Sequence, residues 1–125
     1  MRTNTPIHKQ MIHKGSVNAL KMVEDLAVTC SADGSIKIMT MPDFTVVKTI
    51  DAQDMVFALE HADGVLLAGS GKGNVLAYDL KNGECLYGYG VMKKGACRLL
   101  GTNLGKSKNR LVCAGEDDSA TLLTF

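Results

Sequence analysis

The sequence predicts an all-β chain in which one supersecondary unit is written about three times. Placing Gly34 over Gly73 aligns VTCSADGSIKIMT at 28–40 with LAGSGKGNVLAYD at 67–79, a shift of 39 positions. A third copy, CAGEDDSATLLT at 113–124, sets Asp118 where the glycines stand, 45 positions after Gly73. The apolar runs within the copies are short, rich in Val, Ile and Leu, and bounded by Gly, Asp, Asn and Ser, a pattern that favours strands over helices.

Each unit reads as four strands in fixed order. The first unit, 13–51, opens with VNAL at 17–20, which aligns with VFAL at 56–59 and more loosely with ACRL at 96–99. In Val17-x-x-Leu20 and Val56-x-x-Leu59 a spacing of three puts two apolar residues on opposite faces of a regular strand, and a β-bulge would return both to one face. The second and third strands are LAVTC at 26–30 and SIKIM at 35–39, joined by Asp33-Gly34, residues that tolerate the positive φ of a tight hairpin. FTVVKTI at 44–50 closes the unit as a fourth strand. The second unit, 52–90, repeats this through NVLAY at 74–78 and GECLYGY at 83–89, with Lys72-Gly73 at the turn. The third unit, 91–125, has RLVCA at 110–114 and a turn at Asp117-Asp118, and the sequence ends at Phe125 after its third strand. PIHKQMI at 6–12 resembles an outer fourth strand standing before the first unit, so 1–12 is assigned as that strand.

Composition narrows the classes of function. With 125 residues the chain has the length of one domain, and 46% apolar with 22% charged residues is globular. A net charge of +1 gives no overall field to favour nucleic acid or an anionic membrane. Cys30, Cys85, Cys97 and Cys113 form no C-x-x-C pair and follow an N-terminus too polar for a signal peptide. Reduced thiols and an intracellular, cytoplasmic setting are expected, with the nucleus also open to the protein. No apolar run approaches the roughly 18 residues that cross a bilayer.

Four-stranded units of this period, with a turn Asp-Gly and an aromatic-Asp ending at Tyr78-Asp79, resemble the WD-repeat β-propeller family. The resemblance implies a β-propeller of antiparallel four-stranded blades, about three per chain, with the N-terminal outer strand exchanged or closing the ring. It also implies a structural network in which a histidine, a Ser or Thr, the turn aspartate and a tryptophan join by hydrogen bonds. His13, Thr29 and Asp33 take the first three places; Met39 stands at the tryptophan position and Thr40 at the signature aspartate. Lys72 replaces the turn aspartate of the second unit, and Leu123-Thr124 occupy the signature pair of the third. A histidine donating to a buried carboxylate would satisfy both groups and pin two loops together, which accounts for His13 and Asp33 without a metal. His61, beside Asp63-Gly64, fits a solvated turn.

Other constellations fall away on spacing. AGSGKGN at 68–74 lacks the G-x-x-x-x-G-K-[ST] of a phosphate loop and the third glycine of a dinucleotide fingerprint, and reads as a hairpin. No serine or Cys–His nucleophile arrangement emerges, and Cys30 and Cys113 lie in strands expected to be buried. Catalytic residues, metal and cofactor are therefore assigned as none. Lys93, Lys94 and Arg98, followed by Lys106, Lys108 and Arg110 in the longer segment GTNLGKSKNR at 101–110, read as a solvated, mobile face, since nucleic-acid binding also wants stacking aromatics.

What the resemblance implies about function is a noncatalytic scaffold binding a protein or peptide within a multiprotein assembly. Loops entering each first strand and turns between the second and third strands would form the binding face, giving Lys14, Ser16, Met55, Phe57, Lys93, Lys94 and Arg98 as the candidate interaction surface, with Met55 and Phe57 as anchors and, as the alternative, Met55 packed between blades. Alternatives are an adaptor that is the C-terminal part of a longer propeller, and an RNA-binding or catalytic propeller. Three blades fall short of the usual four to eight. The expectation is a homodimer closing a six-bladed ring through exchanged outer strands, with no membrane partner and with nucleic acid disfavoured.

Overall fold

The computed structural model describes residues 10–41, 43–62, 64–92, 95–103, 110–116 and 119–124. Eleven strands are assigned among them: β1 (Val17–Val23), β2 (Leu26–Ser31), β3 (Ser35–Thr40), β4 (Thr45–Asp51), β5 (Val56–Ala62), β6 (Val65–Ser70), β7 (Asn74–Asp79), β8 (Cys85–Gly90), β9 (Cys97–Asn103), β10 (Arg110–Gly115) and β11 (Ala120–Thr124). They form three antiparallel meanders, β1-β2-β3-β4, β5-β6-β7-β8 and β9-β10-β11. The assigned outer strand at 1–12 lies for the most part outside the described residues, and Gln10, Met11 and Ile12 are not in a strand.

The bulge anticipated from the apolar spacing is present in all three first strands. Val17 pairs with Ser31 and Ala19 with Cys30, so Asn18 is the extra residue. Phe57 is skipped in the same way between Val56 and Ala58. In the third sheet Gly115 pairs with Cys97 and Ala114 with Leu99, which makes Arg98 the bulged residue. The unit equivalent to VNAL is therefore CRLL at 97–100, one residue later than the ACRL alignment. Backbone pairing, not residue similarity, sets the register here, and Ala96 is left to enter the strand. The longer segment at 101–110 is also part strand, because β9 runs on to Asn103 and β10 begins at Arg110.

With the bulges in place, each sheet presents two apolar faces. One carries Val28, Cys30, Ile36 and Ile38 in the first sheet, Leu67, Gly69, Val75 and Ala77 in the second, and Val112, Ala114, Ala120 and Leu122 in the third. The other carries Val17, Leu20, Ala27 and Met39, then Val56, Leu59, Leu66 and Tyr78, then Cys97, Leu100, Leu111 and Leu123. Two cores result where opposite faces meet. Val28, Ile36, Ile38 and Ile50 pack on Val56, Leu59, Leu66 and Tyr78 between the first and second sheets. Leu67, Val75 and Ala77 pack on Cys97, Leu111 and Cys113 between the second and third. Gly69 shows how close the sheets come: a Cβ there would lie 2.5 Å from the Cys97 carbonyl oxygen.

Candidate functional site

Strand polarity gathers the loops that enter β1, β5 and β9 at the same end as the β2–β3, β6–β7 and β10–β11 turns. In every sheet a carboxylate ties the entering loop to its neighbouring turn. The first is Asp33, in the turn, which accepts the Lys14 N–H at 2.8 Å and its own hairpin's Ser35 N–H at 2.8 Å. In the second sheet the turn has Lys72, and the carboxylate comes from the loop instead: Asp54 accepts the Lys72 N–H at 2.8 Å and the Met55 N–H at 2.8 Å. In the third, Glu116 accepts the Ala96 N–H at 3.2 Å and the Arg98 Nε–H at 2.6 Å. The sequence pattern points to Asp33 and not to the other two, because a carboxylate on either side of the gap closes it equally well and only the approach of the two loops shows which one does.

The first sheet adds a buried polar relay. The His13 imidazole, its side chain shielded from solvent, lies 2.8 Å from Thr29 Oγ1 through Nε2 and 2.7 Å from Ser35 Oγ through Nδ1. Ser35 Oγ–H donates to Asp33 Oδ1 at 2.6 Å, so its oxygen is left to accept from His13 Nδ1–H, and Nε2 accepts from Thr29. The expected direct donation from His13 to the carboxylate is thus replaced by one through Ser35, with Asp33 Oδ2 3.5 Å from Nδ1. Ser35 was missed; its signal is the Asp-Gly-Ser order, which lets a hydroxyl return to a carboxylate two residues earlier. Burial lowers the His13 pKa and the Asp33 charge only partly restores it. Burial raises the Asp33 carboxyl, but hydrogen bonds from Ser35, Lys14 and Ser31 together outweigh it and hold the group well below the usual carboxylate range. Met39, at the tryptophan position, is fully buried and contributes volume without a donor.

Outward from these ties lies an exposed rim. Lys14 and Ser16 are exposed, and Met55 is 45% exposed at the end of a loop in which Gln53 takes φ 61° and Asp51 accepts the Gln53 N–H at 2.9 Å. Phe57 and Arg98, the bulged residues of adjacent sheets, stack with the guanidinium carbon 4.3 Å from the ring centroid. Asn18, the bulged residue of β1, donates to the Val56 carbonyl at 2.9 Å. The bulges therefore bridge neighbouring sheets along this rim, a role sequence spacing did not reveal. Met55 projects from the rim instead of packing between sheets. Lys93 and Lys94 lie outside the described residues.

At the opposite end, a groove of about 710 Å³ opens between the first two sheets, lined by Val23, Leu26, Val47, Lys48, Leu80 and Lys81 among others. His61 also lines it, from within β5 and not from a turn. Among the described residues no three His, Cys, Asp or Glu side chains gather as metal ligands. Cys30 is pushed up to about 12 by burial, far from a reactive thiolate.

Solved structures share this arrangement. The WD40 beta propeller domain of Doa1 superimposes with a TM-score of 0.80 at 25% identity, over 90% of this chain and 38% of that one. The computationally designed Ika4 protein gives 0.80 at 22%, over 98% and 74%. Saccharomyces cerevisiae Sqt1 gives 0.75 at 16%, over 88% and 31%. No family model matches the chain, and no curated protein matches it by sequence. The fold is a β-propeller built from antiparallel four-stranded blades, about three in this sequence. The chain spans about a third of the length of the Doa1 domain and of Sqt1.

Proposed function

We propose that the chain is a noncatalytic scaffold that binds a protein or peptide across the rim formed by Lys14, Ser16, Met55, Phe57 and Arg98. The observation that carries this reading is Met55: a large apolar side chain held out to solvent by a loop that is itself fastened through Asp51 and Asp54. A rigid apolar anchor beside the Phe57–Arg98 stack is the composition that concentrates binding energy in interfaces. The WD40 domain among the similar structures supports a scaffold role for the fold. An intracellular setting fits Cys30, Cys97 and Cys113, buried thiols that act as small apolar groups.

Photo-crosslinking tests the rim. A photoreactive amino acid at Met55 should capture a discrete partner in cell extract, and one at Leu86 on the outer strand β8 should not. Arg98→Glu should abolish that capture. Equal capture from both positions would sink the reading. A nucleic-acid adduct at Met55, weakening steeply with salt, would favour an RNA-binding face instead.

A further inference from the structure

We propose that the apolar face of the first blade and the apolar face of the third blade are the two halves of one interface, joined head to tail between two copies of this chain. The inference starts from positional equivalence. Val56 and Leu59 of β5 are 0% and 8% exposed because the first blade covers them, whereas Val17 and Leu20, the same positions in β1, are 53% and 60% exposed. Met22, further along the same face, is 53% exposed. On the third blade Val112 and Leu122 are 47% and 57% exposed, at the positions where the second blade buries Leu67 and Ala77 to 1% and 0%. Val17, Leu20, Met22, Val112, Ala114, Ala120 and Leu122 are all apolar, a contiguous set on each face, and Lys37, which pairs with Thr29 beside Leu20, places a charge on the first blade's face.

The occupant is specified by the faces themselves. What covers Val56 and Leu59 inside the molecule is the face built from Val28, Cys30, Ile36 and Ile38, and the third blade displays the equivalent of that face as Val112, Ala114, Ala120 and Leu122. The cover that Val17 and Leu20 lack is therefore of the kind the third blade of a second copy offers, at the blade-to-blade geometry already used twice within the chain. Two copies of three blades make six, and that is the multiple of three that falls within the four to eight blades of closed propellers. A two-fold axis then produces two identical junctions, each pairing the first blade of one copy with the third blade of the other. Met55 and Phe57, the apolar part of the rim, sit at the second blade, away from both junctions, so this inference stands apart from the rim reading.

Sedimentation equilibrium of the purified chain should give twice its 13.4 kDa. Leu20→Glu and Leu122→Glu alter residues that are exposed in the single chain, so both variants should keep the β-sheet circular dichroism of the parent. Each places a carboxylate in both junctions and should raise the dimer dissociation constant about 100-fold or more. An equimolar mixture of the two variants retains one unaltered junction and should dimerise more tightly than either variant alone. Leu86→Glu on β8 should leave the dimer unchanged. A folded monomer for the parent chain would overturn the proposal, as would a dimer that survives Leu122→Glu, the result expected if first blades paired with each other.

Discussion

The first and second blades carry the same elements at a constant offset, yet they are held by different means. In the first, turn and loop are tied by a carboxylate in the turn, reinforced by a histidine relay. In the second, the carboxylate comes from the loop and nothing stands in for the histidine: Asp54 alone reaches Lys72. The second blade is instead gripped on both faces by apolar neighbours, while the inner strand of the first is covered on one. A blade with a neighbour on each side is positioned by burial, and a blade with one is positioned in part by a polar network. Substitutions at equivalent positions should therefore have unequal effects.

The largest inequality belongs to the inner strands. Leu59→Ala removes a side chain from the core between blades and should cost about 2–5 kcal/mol in urea denaturation. Leu20→Ala at the equivalent position, measured in the Leu122→Glu background so that pairing between copies does not contribute, should stay within about 0.5 kcal/mol. Equal costs would mean that the two strands are equally buried.

The two hairpin glycines come next. Gly34 and Gly73 have φ of 87° and 85°, so an alanine is strained at both. At Gly34 the nearest atom to a new Cβ is 3.5 Å away, at the Asp54 carbonyl oxygen, but at Gly73 it would lie 2.6 Å from Met92 Cβ and 2.8 Å from the Gly95 carbonyl oxygen. Gly34→Ala should cost about 1–2 kcal/mol by thermal melting and Gly73→Ala about 1–3 kcal/mol more, since backbone must shift as well.

Acid should then separate the polar networks. His13 is held neutral by burial, so the native state resists a proton that the unfolded chain accepts; its stabilising effect is complete above pH ~6.5 and declines as pH falls below that value. Asp33 has a depressed pKa, so its contribution is complete above pH ~3.9 and is lost as pH falls further. The urea midpoint of the parent should begin to drop below neutrality, and His13→Gln should flatten that first segment while leaving the drop below pH ~4 in place. An unchanged profile in His13→Gln would show that the relay does not titrate in this range.

The smallest effect is expected at Glu116→Gln. Its pairing with Arg98 is exposed, and the Ala96 N–H keeps an acceptor in the glutamine, so the melting temperature should hardly move.

Some of this organisation was legible residue by residue. The offset between Gly34 and Gly73 revealed the repeats, the short β-branched runs revealed the strands, and Val-x-x-Leu revealed a bulge, because period, propensity and face alternation are local properties of a chain. His13, Thr29 and Asp33 were legible through the family resemblance. Ser35 and Asp54 were not, although Ser35 directly follows the Asp33-Gly34 turn and Asp54 directly precedes Met55. A hydrogen bond depends on which loops come within 3 Å, and that is a property of the folded sheet. The one-residue error in the third unit has the same origin: ACRL and CRLL are equally plausible strands, and only pairing of Gly115 with Cys97 chooses between them. The sequence by itself determined the repeat, the order of the strands within a unit, and the bulge that returns Val17 with Leu20 and Val56 with Leu59 to one face. Only the tertiary structure decided which faces are covered, which carboxylate ties each turn, and that Phe57 meets Arg98, because each of these depends on the distance between segments that are far apart along the chain.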